Sequence, residues 1–206
     1  MSLLAASLVL ASATTASQAD DSLLRSYVAC LANRDVPKME RLLAADGEGD
    51  FRAAATDLAA EPRCGKRADM ESGIFLATYS VNPGKLRGMV AEALLRRPGG
   101  LAHLSALPRE KIYAANWFLV SGRPRPMDEM AVCVAATNPD GIARLIQTRP
   151  GSAGENDALA ALNASLGQCL GVGYELRGTS VEVRGALSEA IFHRSYASLA
   201  QTGGRR

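Results

Sequence analysis

Arginine and glutamate occur at one spacing in two places, Arg87 with Glu92 and Arg184 with Glu189. A guanidinium can grip a carboxylate or phosphate through paired N–H donors, and a glutamate can carry a proton. These four side chains therefore have the most to offer a ligand. Residues five apart on a helix do not share a face, so each is expected to meet a partner elsewhere, the interface between the two segments being one place for it. The first reading of the four is structural, orienting helices or capping a loop carbonyl; the second is a ligand-binding arginine.

Other candidates for chemistry are sparse. The two histidines, His103 and His193, sit among apolar residues, where a satisfied or surface histidine is the ordinary reading. No nucleophile elbow, zinc-protease, P-loop or dinucleotide motif occurs in a fitting context. The acidic pairs Asp20-Asp21 and Asp128-Glu129 precede apolar helical stretches, where negative charge suits the helix dipole. Basic clusters are small and the formal net charge is only +2, which argues against a nucleic-acid surface. Trp117, Phe118 and Leu119 form the densest large apolar cluster; they belong either to the core or to a groove that lines a pocket or partner contact.

The arginine–glutamate pairs belong to a larger recurrence. Cys30-Leu31-Ala32, an Asp35 helix start and Met39 to Leu43 match Cys133-Val134-Ala135, Asn138-Pro139 and Ile142 to Ile146 at an offset of 103. Each stretch then reaches a second cysteine, Cys64 or Cys169, and ends in R-G-x-x-[AS]-E-A. Two similar units packed together are expected, with Cys30 paired to Cys64 and Cys133 to Cys169, since a single ancestral unit would have needed its own bridge. A metal site or redox dithiol would need close cysteine pairs, and no C-x-x-C occurs. No cofactor or metal is expected.

Residues 1–19 are uncharged, with an apolar run from Leu3 to Ala11 and small residues before Asp20. This reads as a secretory signal, placing the chain in the periplasm or the medium, where disulfides persist. No later run approaches the roughly 20 apolar residues that span a bilayer, so no membrane span is expected in the mature chain.

The elements that must position these residues read as helical almost throughout. Asp35 and Asn138 are helix caps with prolines in the first turn, followed by apolar residues at spacings of three and four. Alanine-rich helices are expected over Phe51–Ala60 and Asp157–Leu166, and closing helices over Leu86–Arg97 and Val183–Tyr196. Arg109–Val120 reads as a further helix, followed by the linker Ser121–Pro126. Gly73–Val81 and Val172–Leu176 read as loops, and Gln201–Arg206 as a frayed end. The organisation is thus all-α: signal 1–19, first repeat 20–97, connecting helix and linker 98–126, and second repeat with a frayed end 127–206.

The layout resembles small exported proteins of Gram-negative bacteria in which a helical unit with this cysteine spacing and R-G-x-x-[AS]-E-A tail occurs twice. The resemblance implies a helical secreted protein and supplies no catalytic residues. The expected function is non-enzymatic, binding or scaffolding with a small-molecule or envelope-protein partner. Arg87, Arg184, Glu92, Glu189 and Trp117 are the candidate binding residues. The alternative is an enzyme with a site between the repeats, for which Glu92, Glu189 and His193 are the testable members.

Overall fold

The computed structural model describes residues 21–65, 82–101, 104–171 and 173–203. The expected signal, His103 and Gly73–Val81 lie outside them. Every regular element among the described residues is helical. Helix α1 covers residues 21–32, followed by α2 (Val36–Ala44), α3 (Glu48–Ala59), α4 (Pro62–Gly65) and α5 (Pro83–Leu95). A 3-10 turn, Asn116–Val120, precedes α6 (Arg125–Thr137), α7 (Pro139–Gln147), α8 (Ala153–Cys169) and α9 (Ser180–Gly203).

The local rules act in parallel in the two halves. The Asp35 carboxylate accepts from the Lys38 N–H at 3.2 Å, and the Asn138 amide oxygen accepts from the Gly141 N–H at 3.0 Å. Both caps start helices of nine residues. These helices bury the same face, Met39, Leu42 and Leu43 in α2 and Ile142, Leu145 and Ile146 in α7. Cys30 is bonded to Cys64 and Cys133 to Cys169, each with Cα atoms 5.6 Å apart. Each bridge thus ties the first helix of its half to a later one, α1 to α4 and α6 to α8.

α5 and α9 pack along each other at the centre, with α2 against α5 and α6 against α9. One apolar cluster joins Leu42, Val90 and Leu94 of the first half to Val134, Leu145 and Leu187 of the second. The central helices approach backbone to backbone: a Cβ on Gly88 would lie 2.4 Å from the Cα of Gly185. Only glycine at position 88 permits that approach, whereas a Cβ on Gly185 would find its nearest neighbour, the Cα of Gly88, at 3.4 Å.

Several boundaries differ from expectation. Residues 104–115 are not helical, and only Asn116–Val120 makes a 3-10 turn. The expected connecting helix is instead a strap. An amphipathic helix there needs one apolar face to bury, yet Leu107, Ile112 and Leu119 are 52, 75 and 84 % exposed, while Leu104, Trp117 and Val120 turn inward. α6 begins at Arg125, within the expected linker, and accepts Pro126 in its first turn. α5 starts three residues before the expected Leu86: the Asn82 side chain accepts from the N–H groups of Gly84 and Lys85, with Pro83 beginning the helix. α3 stops at Ala59, whereas α8 runs unbroken to Cys169. α9 continues through Gln201 to Gly203, since the alanine- and leucine-containing stretch after Tyr196 favours helix. Residues 173–176 are irregular, as expected of that loop.

Candidate functional site

Arg87 and Arg184 are fully buried, an environment a guanidinium tolerates only when paired and hydrogen-bonded. Each finds its carboxylate on the other central helix. Arg87 Nε donates to Glu189 Oε1 at 2.6 Å. Arg184 Nε and Nη2 donate to the two oxygens of Glu92 at 2.8 and 2.9 Å, a bidentate pair. The two bridges cross at the Gly88–Gly185 contact, so the five-residue spacing that keeps arginine and glutamate apart on one helix lets them exchange partners between two.

The remaining donors cap helices. Arg87 donates to the carbonyls of Leu42, Leu43 and Ala45, at the C-terminus of α2. Arg184 donates to the carbonyls of Ile146 and Thr148, at the C-terminus of α7, and to the Thr148 hydroxyl. Those carbonyls have no partner inside their helices, and positive charge there opposes the helix dipole. Each arginine therefore closes the end of one helix in its own half while clamping the other half.

Five further charged groups complete the network. Arg123 bridges Asp128 at 2.7 Å and Glu189. Glu155 accepts from Arg184 at 2.9 Å while its other oxygen takes the Gly151 N–H at the start of α8. Glu92 also accepts from Arg25 at 3.1 Å and Arg96 at 3.0 Å. Both oxygens of Glu92 thus hold two donors each, which fills their lone pairs.

The electrostatics follow from this crowding. Burial alone would raise the Glu189 carboxyl, but the charges of Arg123 and Arg87, with the hydrogen bond from Arg123, outweigh it and hold the group at about 2. Glu92 is likewise below the usual carboxylate range: burial raises it, and Arg184, Arg25 and Arg96 lower it further. Asp128 is shifted up, since its burial exceeds what Arg123 and the Ser121 hydroxyl return. Carboxylates held ionised this firmly have no proton to donate at neutral pH and are weak bases.

Trp117 lies outside this core of charge but seals one side of it. Its ring stacks on His193 at 5.0 Å with 8° between the planes, and the Arg123 guanidinium carbon lies 5.7 Å from its centroid. His193 Nε2 is 3.7 Å from Glu189 and, like the Ser188 hydroxyl, is buried without a hydrogen-bond partner among the described residues.

Of the five expected binding residues, Glu92 reaches an open feature. A groove of about 460 Å³ runs between α1 and the C-terminal half of α5, with Pro150 also in its lining. Its floor is apolar, from Val28, Met89 and Ala93, and its rim carries Arg25, Arg96 and Arg97. The size falls within the roughly 300–1,000 Å³ of small-ligand sites. The structure brings Arg87, Arg184, Glu92 and Glu189 together as one unit and sets Trp117 on its flank. Arg25, Arg123 and Glu155 were not singled out in the sequence. Glu155 had a local signal, three residues after the capping Ser152; Arg25 and Arg123 had none.

Among the described residues no group of three or more His, Cys, Asp or Glu gathers as a metal ion would require, and no helix is long and apolar enough to cross a membrane. Compared with protein-family models, curated proteins and solved structures, the chain matches none.

Proposed function

We propose that this chain is an exported, non-enzymatic binding protein that arose by internal duplication of a disulfide-bridged helical unit, resembling the exported helical proteins described above. The observation that carries the reading is the division of labour among its arginines. Arg87 and Arg184 are consumed by helix ends and opposing carboxylates, whereas Arg25, Arg96 and Arg97 stand at the rim of an apolar groove. The first set fixes the frame; in the second, Arg25 and Arg96 also bond Glu92, but they are partly exposed at the groove and can turn to a ligand.

The duplication is supported by the equal lengths and shared buried faces of α2 and α7 and by the two matching bridges. Export is supported by the same bridges, since disulfides endure in oxidising compartments, and by the apolar leader-like run before Asp20. The enzyme alternative is disfavoured because Glu92 and Glu189 are pinned in their ionised forms and Glu189 is fully buried.

A thermal-shift screen of the mature protein against envelope metabolites, peptides, metals and anionic amphiphiles tests the reading. A ligand that binds only the native state raises the melting temperature with its concentration. At least one class should do so, and Arg25→Gln should abolish the shift. The absence of any shift at high ligand excess would refute the binding role. N-terminal sequencing of protein recovered from the cell exterior or periplasm should begin at Asp20; an uncleaved cytoplasmic product would refute export.

A further inference from the structure

Among the described residues the two halves differ in what lies along their outer grooves. In the second half, between α6 and α9, the groove is already filled by the chain's own strap. The Leu107 N–H donates to the Ala136 carbonyl at the end of α6, and Arg194 of α9 donates to the Ser105 carbonyl. Further along, Trp117 stacks on His193. At the far end the Ser121 hydroxyl donates to Asp128, and Arg123 bridges Asp128 and Glu189. A largely irregular segment thus follows both helices from one end to the other, presenting a large aromatic residue first and a charge last.

Carried to the first half through the matched cysteines and R-G tails, each of these anchor points has a counterpart. Ala136 corresponds to Asn33, Arg194 to Arg97, His193 to Arg96, Glu189 to Glu92 and Asp128 to Arg25. All five counterparts line the α1–α5 groove. The open groove of the first half is therefore the same site that the strap occupies in the second.

The charge at its far end is inverted. In the second half a carboxylate, Asp128, meets the strap's Arg123; in the first half a guanidinium, Arg25, takes its place. Glu92 cannot absorb that charge alone, because its oxygens already hold Arg184 and Arg96 as well. Among the described residues Arg25 gives a single hydrogen bond, to Glu92, which leaves further N–H donors of its guanidinium for an incoming acceptor.

We propose that the α1–α5 groove is a docking site for an irregular, extended segment of a partner protein, one that carries a large apolar side chain to lie over Arg96 and an acidic side chain to meet Arg25. The segment would do between α1 and α5 what residues 104–123 do between α6 and α9. Main-chain bonds and an aromatic anchor supply affinity, and the reversed charge supplies selectivity. This rests on the binding role proposed above and names the partner's chemistry.

The experiment uses the full-length chain as expressed and exported, and two fluorescent synthetic peptides: residues 104–123 of this sequence, and the same peptide with Arg123→Glu. Fluorescence anisotropy should show the Arg123→Glu peptide binding roughly tenfold more tightly than its parent, from exchange of a like for an opposite charge at Arg25. Arg25→Gln should remove that preference. Ala29→Trp, at an exposed position on the groove-facing side of α1, should block binding while leaving the melting temperature unchanged, so that a loss of binding is not a loss of fold.

Failure of both peptides to bind would overturn the proposal, as would equal binding of the two or binding insensitive to Ala29→Trp. Decanoate and inorganic phosphate serve as separate arms. If decanoate shifts the melting temperature and the peptides do not bind, the partner-segment proposal falls and the binding role stands; if nothing binds, both fall.

Discussion

Glu189→Gln is the most informative single substitution, because it removes a charge and little else. The amide matches the carboxylate in size, but Arg87 loses the one carboxylate it meets among the described residues and keeps only the carbonyls of α2. Arg123 retains Asp128. Stripping one partner from a buried ion pair costs about 3–5 kcal/mol, since the remaining charge stays desolvated. The matching change, Glu92→Gln, should cost less. Arg184 keeps Glu155 as a second carboxylate, and Arg25 and Arg96 are 22 and 40 % exposed and can turn to water. About 1–3 kcal/mol is expected there, the scale of lost charged hydrogen bonds. Urea unfolding at pH 7, followed by far-UV circular dichroism, gives both values from the midpoints if the slopes agree. Equal costs for the two substitutions, or a cost below about 1 kcal/mol for Glu189→Gln, would refute the view that the central pairs are fully desolvated and asymmetrically backed up.

Further outcomes follow from the same geometry. Gly88→Ala should destabilise by about 2 kcal/mol or more, because its Cβ meets the Gly185 backbone. Gly185→Ala, whose nearest neighbour is 3.4 Å away, should be neutral or stabilise by up to about 1 kcal/mol through helix propensity; similar losses at both positions in thermal melts would contradict the crossing described. Acid should weaken the fold. The Glu189 carboxyl lies at about 2, against 4.5 for an ordinary glutamate, so its contribution is complete above about pH 4.5 and is lost as pH falls towards 2. One pKa unit is about 1.4 kcal/mol, so this group accounts for about 3 kcal/mol. The lowered Glu92 acts in the same direction and the raised Asp128 in the opposite one. A melting temperature flat between pH 5 and pH 2.5 would count against this. Replacing both cysteines of either bridge with alanine should cost about 4 kcal/mol on the chain-entropy account, for loops of 34 and 36 residues; non-reducing peptide mapping that found a cysteine of one half joined to the other would overturn the pairing itself. Trp117→Ala should cost about 3 kcal/mol, as for other buried aromatic truncations; a loss under about 1 kcal/mol in urea would mean that the strap is not anchored there.

What the residues determined by themselves was whatever acts within a turn or two of helix. Asp35 and Asn138 cap their own helices, Pro37 and Pro139 sit in first turns that tolerate them, and Leu42, Leu43, Leu145 and Ile146 recur on one face. These interactions need no distant partner, so their spacing is visible in the chain. The disulfide pairing was legible for a different reason: two matched segments with matched cysteine spacings leave the pairing within each segment as the economical solution. The Arg87 and Glu92 spacing showed only that the two residues would part company. That each reaches across to the other half depended on α5 and α9 crossing at Gly88 and Gly185, a contact between residues that are 97 positions apart. Arg25 and Arg123 carried no local mark, because their partners are set by the tertiary approach of separate helices. The strap, expected as a helix, differs for the same reason. It is held at separate points, by the Leu107 N–H on the Ala136 carbonyl and by Trp117 on His193, while Ile112 and Leu119 stay exposed, and no local pattern records those distant anchors.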